Sequence, residues 1–133
     1  MVDVGDTAEA SLTVQYSDTA HCLALEPGEV FPEVLSTTRM IALMELAAAR
    51  VLRPLLQEGE LSVGVVVDVR HTAATPIGSV VRAVATYLRP EGKLHRFRVE
   101  AFDEGGSIGE GEHVRAIIST ERLLAGAARR KKV

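Results

Sequence analysis

The chain has 133 residues, which suits one domain, and its 47% apolar and 25% charged residues are typical of a folded globular protein. The formal net charge of −3 argues against general nucleic-acid binding, and no uncharged apolar run approaches the roughly 20 residues of a membrane span. The single cysteine, Cys22, excludes an internal disulfide and a paired-cysteine metal site, and it fits a reducing, cytoplasmic setting.

The chain opens with an acidic segment and one candidate strand. Its first ten residues lack the basic start and the apolar run of a secretion signal, so we expect none. Apolar side chains alternate loosely over Thr7–Tyr16, which predicts a half-buried strand. Residues 17–32 contain Pro27, Gly28 and Pro32, which break regular structure. A connection of this length in a compact domain is usually functional, so we predict a lid loop.

One long helix is predicted over Ser36–Gln57. The segment is rich in helix formers, and the hydroxyl side chains at 36–38 are available to cap its start. Over Met40–Ala49 it is apolar on almost every side, which predicts burial over most of its surface. Pro54 is expected to kink or end the helix.

The rest of the chain has the composition of strands. Four segments rich in Val, Ile and Thr are separated by short turns with Pro or Gly, and these are Leu61–Ala73, Gly78–Arg89, Lys93–Asp103 and Ile108–Thr120. Short turns join antiparallel neighbours, so we predict an α+β fold in which about five antiparallel strands wrap around one central helix. A helix that is apolar on every side needs a partner to complete its burial, so we expect at least a dimer. Without internal repeats or linkers, residues 1–133 form a single domain, and 126–133 are predicted to be a flexible basic tail.

Glu45 is the only charged residue between Arg39 and Arg50 of the predicted helix. A carboxylate among apolar side chains is expected to lose water, and a desolvated carboxylate suits a general base or a nucleophile. A glutamate that faces solvent or pairs with an arginine is the alternative interpretation, and helix position does not separate the two.

His71 ends the apolar alternation of Val63–Val69, so it is expected to face the helix, either as a core histidine or as the partner of a carboxylate in acid–base work. Thr37 precedes Glu45 by about 12 Å along the helix axis, so a bound substrate would connect the two, and an N-cap is the alternative role of Thr37. Strict alternation places Gly64 on the face opposite His71. A glycine at this position marks a bulge or a close backbone approach, or its backbone N–H donates to a carbonyl.

Other chemistries lack their motifs. The four histidines have no zinc-ligand spacing, and no nucleophile elbow, phosphate-binding loop or dinucleotide-binding glycine motif is present, so we expect neither a metal nor a cofactor. His113 alternates with apolar residues and is expected to lie with Arg115 on the polar face of its strand, as a structural or exposed residue.

Two stretches resemble the fluoroacetyl-CoA thioesterase family of the hot-dog fold. They are Phe31–Leu52 (FPEVLSTTRMIALMELAAARVL) and Val69–Gly78 (VRHTAATPIG), and the likeness continues through Ser107–Ile118. The resemblance implies a hot-dog fold, a homodimer (with a tetramer left open) that has its sites between subunits, and an acyl-CoA substrate hydrolysed to a free acid and CoA.

The resemblance also assigns site residues. It implies that Thr37, Glu45 and His71 carry the hydrolysis. Glu45 attacks the thioester carbonyl or activates water, His71 moves protons and assists the thiolate, and Thr37 orients the carboxylate or the acyl group.

Further positions match the family as substrate-binding residues. Gly64 matches a glycine whose backbone lies near the thioester oxygen, Arg115 lies in a matching segment, and Phe31 matches an aromatic residue of the lid. Gly28 stands where a second lid phenylalanine is expected, so the acyl group is left open. A non-catalytic acyl-CoA-binding module and, with less support from motifs, a hot-dog hydratase are the alternatives.

Overall fold

The computed structural model describes residues 1–131 of the chain. Its elements are strand β1 (Thr7–Thr13), helix α1 (Thr37–Leu52), strands β2 (Glu60–His71), β3 (Val80–Glu91), β4 (Leu94–Asp103) and β5 (Gly106–Ser119), and helix α2 (Thr120–Arg130). Short 3₁₀ turns occupy Tyr16–Asp18, Ala20–Leu23 and Arg53–Leu55. Within these 131 positions no helix has the length and the apolar composition needed to cross a membrane.

The five strands form one antiparallel sheet in the order β1-β3-β4-β5-β2, so β1 and β2 are its edges. Helix α1 packs across the sheet, with most of its contacts to β1 and β3. The core between them is aliphatic apart from two aromatic rings, and its largest members include Met40, Met44, Leu52, Tyr87 and Phe97. This architecture confirms the predicted α+β sheet around a central helix.

Helix α1 starts where its cap predicts and ends earlier than expected. The Oγ of Ser36 accepts a hydrogen bond from the backbone N–H of Arg39 at 3.0 Å, which makes Ser36 the N-cap. The helix ends at Leu52, and Pro54 lies in the 3₁₀ turn that follows, which confirms that Pro54 ends the helix. The predicted extension to Gln57 is wrong. Leu46 remains 43% exposed, so a single subunit leaves part of the helix uncovered.

A second helix, not predicted from the sequence, follows β5. Ser119 caps α2 by accepting a hydrogen bond from the N–H of Arg122 at 3.3 Å, and Glu121 lies in the first turn, where a negative charge suits the helix dipole. The helix extends into the segment predicted to be a flexible basic tail. The flexibility of that tail stays a prediction, and residues 132 and 133 lie outside the described range.

Candidate active site

Thr37 and His71 meet where the first turn of α1 faces the last residue of β2. The Oγ1 of Thr37 lies 2.8 Å from the Nδ1 of His71, within hydrogen-bonding distance. Because Ser36 supplies the cap, the N-cap alternative for Thr37 is wrong, and its hydroxyl serves the histidine instead. The other ring nitrogen, Nε2, is buried without a hydrogen-bond partner among the described residues. It is therefore the ring nitrogen that no described residue occupies.

A small cavity of about 270 Å³ adjoins His71. Among the described residues its lining consists of Val34, His71, Thr72, Ala73 and Ala74, of which His71 alone is ionisable. An apolar cavity next to an unpartnered ring nitrogen suits an uncharged group, such as the acyl part of an ester or a thioester.

Glu45 lies two turns farther along α1 and pairs with Arg115 of β5. Its Oε2 accepts a hydrogen bond from Nη1 of Arg115 at 3.3 Å. The glutamate side chain is 38% exposed and the arginine side chain 7%, so the guanidinium lies behind the carboxylate, away from solvent. Burial lowers the pKa of Arg115, and the nearby carboxylate of Glu45 acts in the opposite direction. Pairing with an arginine, the alternative interpretation of Glu45, is confirmed, and it leaves one face of the carboxylate open.

The guanidinium of Arg115 is fixed by three further contacts. Its Nε donates to Oγ of Ser62 at 3.0 Å, its Nη2 donates to the carbonyl of Ser62 at 2.8 Å, and its Nη1 lies 3.2 Å from Nε2 of His113. His113 in turn contacts the carbonyl oxygen of Val66 through Nδ1 at 2.7 Å. The exposed alternative for His113 is wrong, because β5 directs His113 and Arg115 toward α1 and both are buried. The structural alternative agrees with the hydrogen bonds that satisfy both residues there.

Strand β2 carries an irregularity that shapes this site. Its pairing with β5 shifts register between Gly64 and Val66, so one extra residue lies in β2 at this point. A Cβ on Gly64 would lie 2.8 Å from Oε2 of Glu45, so only glycine lets the strand approach the carboxylate this closely. The predicted bulge and close approach are confirmed. The predicted opposite faces are wrong, because Gly64 and His71 both face α1 once the extra residue is counted.

The structure does not bring all of the predicted site residues together. No hydrogen bond among the described residues joins His71 to Glu45, so the Thr37–His71 pair and the Glu45–Arg115 pair are separate groups on one side of α1. Phe31 is 41% exposed and does not line the cavity beside His71. The segment predicted as a lid folds back on itself through backbone bonds from Ala20 to Val34 and from His21 to Pro32.

Known proteins are similar to the chain over most of its length. The family model for the fluoroacetyl-CoA-specific thioesterase matches residues 14–121, a range that contains every site residue described above. The fluoroacetyl-CoA thioesterase of Streptantibioticus cattleyicolor is 44% identical over 95 residues, which are 71% of this chain and 68% of that protein.

Solved structures agree. The fluoroacetyl-CoA thioesterase FlK superposes with a TM-score of 0.93 at 36% identity and covers 99% of each chain. Variants of FlK have been solved with acetyl-CoA and with fluoroacetate and CoA. A thioesterase superfamily member from Thermus thermophilus superposes with a TM-score of 0.87 at 32% identity, covering 97% of this chain and 93% of its own.

Proposed function

The chain belongs to the fluoroacetyl-CoA-specific thioesterase family, and from this premise we propose that it hydrolyses the thioester of a short acyl-CoA to the free acid and CoA. The observation that carries the proposal is the pair of groups on one side of α1, with the Glu45 carboxylate held by Arg115 and the His71 imidazole held by Thr37. Complexes of FlK with acetyl-CoA and with fluoroacetate and CoA support a small acyl group on a CoA carrier.

Glu45 is the group that starts the reaction in this proposal. Its carboxylate either takes a proton from a water molecule that adds to the thioester carbonyl, or adds to the carbonyl itself to give an anhydride that water then cleaves. In both routes the C–S bond breaks and the acyl group leaves as the acid. Both routes need the carboxylate oxygens of Glu45, so replacement by an amide removes both.

His71 handles the proton of the leaving group. The Thr37 hydroxyl fixes the ring through Nδ1, which leaves Nε2 to deliver a proton to the CoA sulfur as the C–S bond breaks. The extra residue of β2, Val65, directly follows Gly64 and interrupts the regular ladder there, and we assign the Gly64 N–H as a donor to the thioester oxygen. Arg115 contributes by holding the carboxylate of Glu45.

The lid and a second subunit complete the proposed site. We place Phe31 and the loop of residues 17–32 over the acyl group after closure, because the apolar side chains of this loop are exposed in the single chain.

The edge strand β2 exposes Val65, Val66 and Val67 in succession, at 52%, 42% and 43%. An unpaired, apolar edge strand is a surface that needs covering, which supports a homodimer joined along β2. We also propose a cytoplasmic location, which the free thiol of Cys22 fits.

The test is release of free thiol from a panel of acyl-CoA thioesters from acetyl and fluoroacetyl to hexanoyl. We expect turnover by the wild type and a loss of about 10²- to 10⁴-fold in Glu45→Gln and His71→Ala, the usual contribution of a general acid or base. Glu58→Gln is the matched control, because Glu58 is an exposed glutamate in the turn before β2. Tight acyl-CoA binding without turnover would favour the non-catalytic binding module, and absence of both binding and turnover would refute the proposal.

A further inference from the structure

His113 is the most deeply buried ionisable side chain beside the proposed active site. It is 1% exposed, it lies on the face of β5 that meets α1, and its ring packs 6.4 Å from the ring of Phe97. Both ring nitrogens have hydrogen-bond partners, namely the carbonyl of Val66 at Nδ1 and the guanidinium of Arg115 at Nε2. The proposed hydrolysis does not use this imidazole directly.

The two partners fix the protonation state of the ring. A backbone carbonyl only accepts, so Nδ1 of His113 carries a proton and donates it to Val66. A guanidinium only donates, so Nε2 of His113 is unprotonated and accepts from Nη1 of Arg115. The ring is therefore neutral, with its proton on Nδ1.

This arrangement connects the bulge of β2 to the catalytic carboxylate. The β2–β5 pairing resumes at Val66 after the extra residue, so the position of the Val66 carbonyl depends on the bulge. The same Nη1 that His113 accepts from also donates to Oε2 of Glu45. His113 thus holds one guanidinium nitrogen between itself and the carboxylate.

We propose that His113 is a positioning residue of this active site, which acts as a neutral acceptor that aims Nη1 of Arg115 at the carboxylate of Glu45. The inference rests on the proposed thioester hydrolysis and names a residue that the catalytic groups depend on. Replacement of the acceptor removes one of the contacts that hold the guanidinium and leaves it to Ser62 and Glu45, so the position of Nη1 and of the carboxylate becomes less well defined.

Acid pH is expected to break the hydrogen bond between His113 and Arg115. The charged groups that face His113 are Arg115 on its own strand and Glu45 on α1, while β2 presents the Val66 carbonyl and β4 the Phe97 ring. Burial, followed by the charge of Arg115, lowers the pKa of His113, and the Val66 and Glu45 contacts act in the opposite direction. Protonation of Nε2 would place one N–H donor against another, so the bond to Arg115 is lost only below the ordinary histidine pKa of about 6.5.

The experiment measures kcat and KM for wild type, His113→Leu and His113→Gln from about pH 5 to 8, the range of histidine titration. We expect His113→Leu to lower kcat by about tenfold or more with KM nearly unchanged, because a hydrogen bond to a charged group is lost. Glutamine keeps an uncharged acceptor, so His113→Gln should recover most of kcat and fall less steeply in acid than the wild type. His95→Leu is the matched control, because His95 is a part-buried histidine of β4 that bonds to Tyr87 instead.

Nitrogen NMR of the wild-type histidine rings supplies a readout that does not depend on activity or on a variant that folds. A neutral ring with its proton on Nδ1 at neutral pH supports the inference, and a charged ring or a proton on Nε2 overturns it. With an active wild type, the inference is also overturned by an unchanged kcat and pH profile in folded His113→Leu, by a glutamine variant no better than leucine, or by an equal loss in His95→Leu. A wild type without turnover on any thioester refutes the proposed function itself, and the inference with it.

Discussion

Substitution of Gly64 by alanine adds one methyl group at the closest approach of β2 to the catalytic carboxylate. The new Cβ would lie 2.8 Å from Oε2 of Glu45, 3.2 Å from Cε1 of His113 and 3.4 Å from Cδ of Glu45. Ordinary contact begins at 3.4 Å, so the carboxylate oxygen must move by about 0.6 Å. The glutamate is the end of a flexible side chain and moves more easily than the strand.

The displacement predicts a loss of catalysis without a loss of fold. A misplacement of about 1 Å in a reacting group can reduce the rate about 100-fold, so a shift of about 0.6 Å should lower kcat by about 10- to 100-fold. Stability should change by less than about 1 kcal/mol, because Gly64 does not need a positive φ and alanine narrows the unfolded ensemble.

The assay pairs thiol-release kinetics with thermal unfolding of the same preparations. Gly126→Ala is the matched control, because a Cβ there meets nothing nearer than a guanidinium nitrogen of Arg129 at 3.8 Å. It should keep full activity and gain a little stability, since alanine is the better helix former by about 1 kcal/mol. Wild-type kcat in folded Gly64→Ala would show that the carboxylate position is not critical, and a Gly64→Ala variant that loses activity only because it unfolds would also refute the reasoning.

Three further predictions concern the cap, the buried histidine and the edge strand. Ser36→Ala should reduce the free energy of unfolding by about 1 kcal/mol in denaturant titrations, because α1 loses its N-cap, and an unchanged midpoint would contradict this. Burial lowers the pKa of His113 in the folded protein, so the unfolded chain takes up the proton first as the pH falls below about 6.5. The melting temperature of the wild type should therefore fall in this pH range relative to that of His113→Gln. Melting temperatures that change in parallel with pH would contradict this prediction. Val65→Lys should shift the sedimenting species from dimer to monomer, and a persistent dimer would move the interface away from β2.

The fold was predictable because its local signals agree with one another. The hydroxyl residues before α1 and the proline after it bracket the one long apolar segment, and short turns separate the strands. Helix α2 was missed because its basic end resembles a frayed terminus, although Ser119 as a cap and Glu121 in the first turn are helix-start signals. The basic composition of the segment suggests a frayed end, whereas the capping residues at its start indicate a helix, and the structure has the helix.

The site was predictable only in part. Glu45 and His71 stand out as polar residues in apolar surroundings, whereas Thr37 is indicated by its spacing from Glu45 and by the family resemblance. Ser62 and His113 carry no comparable signal, because a serine and a histidine on a strand have no motif that marks them as partners of a buried guanidinium. Their role depends on a hydrogen-bond network that exists only after β2 and β5 have paired.

The two errors in strand faces, one on β2 and one on β5, have different physical causes. Strand faces are predicted by counting in twos, and one extra residue reverses every face beyond it, so Gly64 and His71 were placed on opposite sides. On β5 the apolar residues alternate with His113 and Arg115. Hydrophobicity predicts that the apolar residues face the helix, but in the structure the face toward α1 carries His113 and Arg115. A buried polar face is tolerated only when its groups are satisfied, and the Val66 carbonyl, the Ser62 side chain and the Glu45 carboxylate satisfy them. The glycine and the guanidinium meet because Gly64 and Arg115 are direct register partners, and the guanidinium then holds the carboxylate of Glu45 from α1.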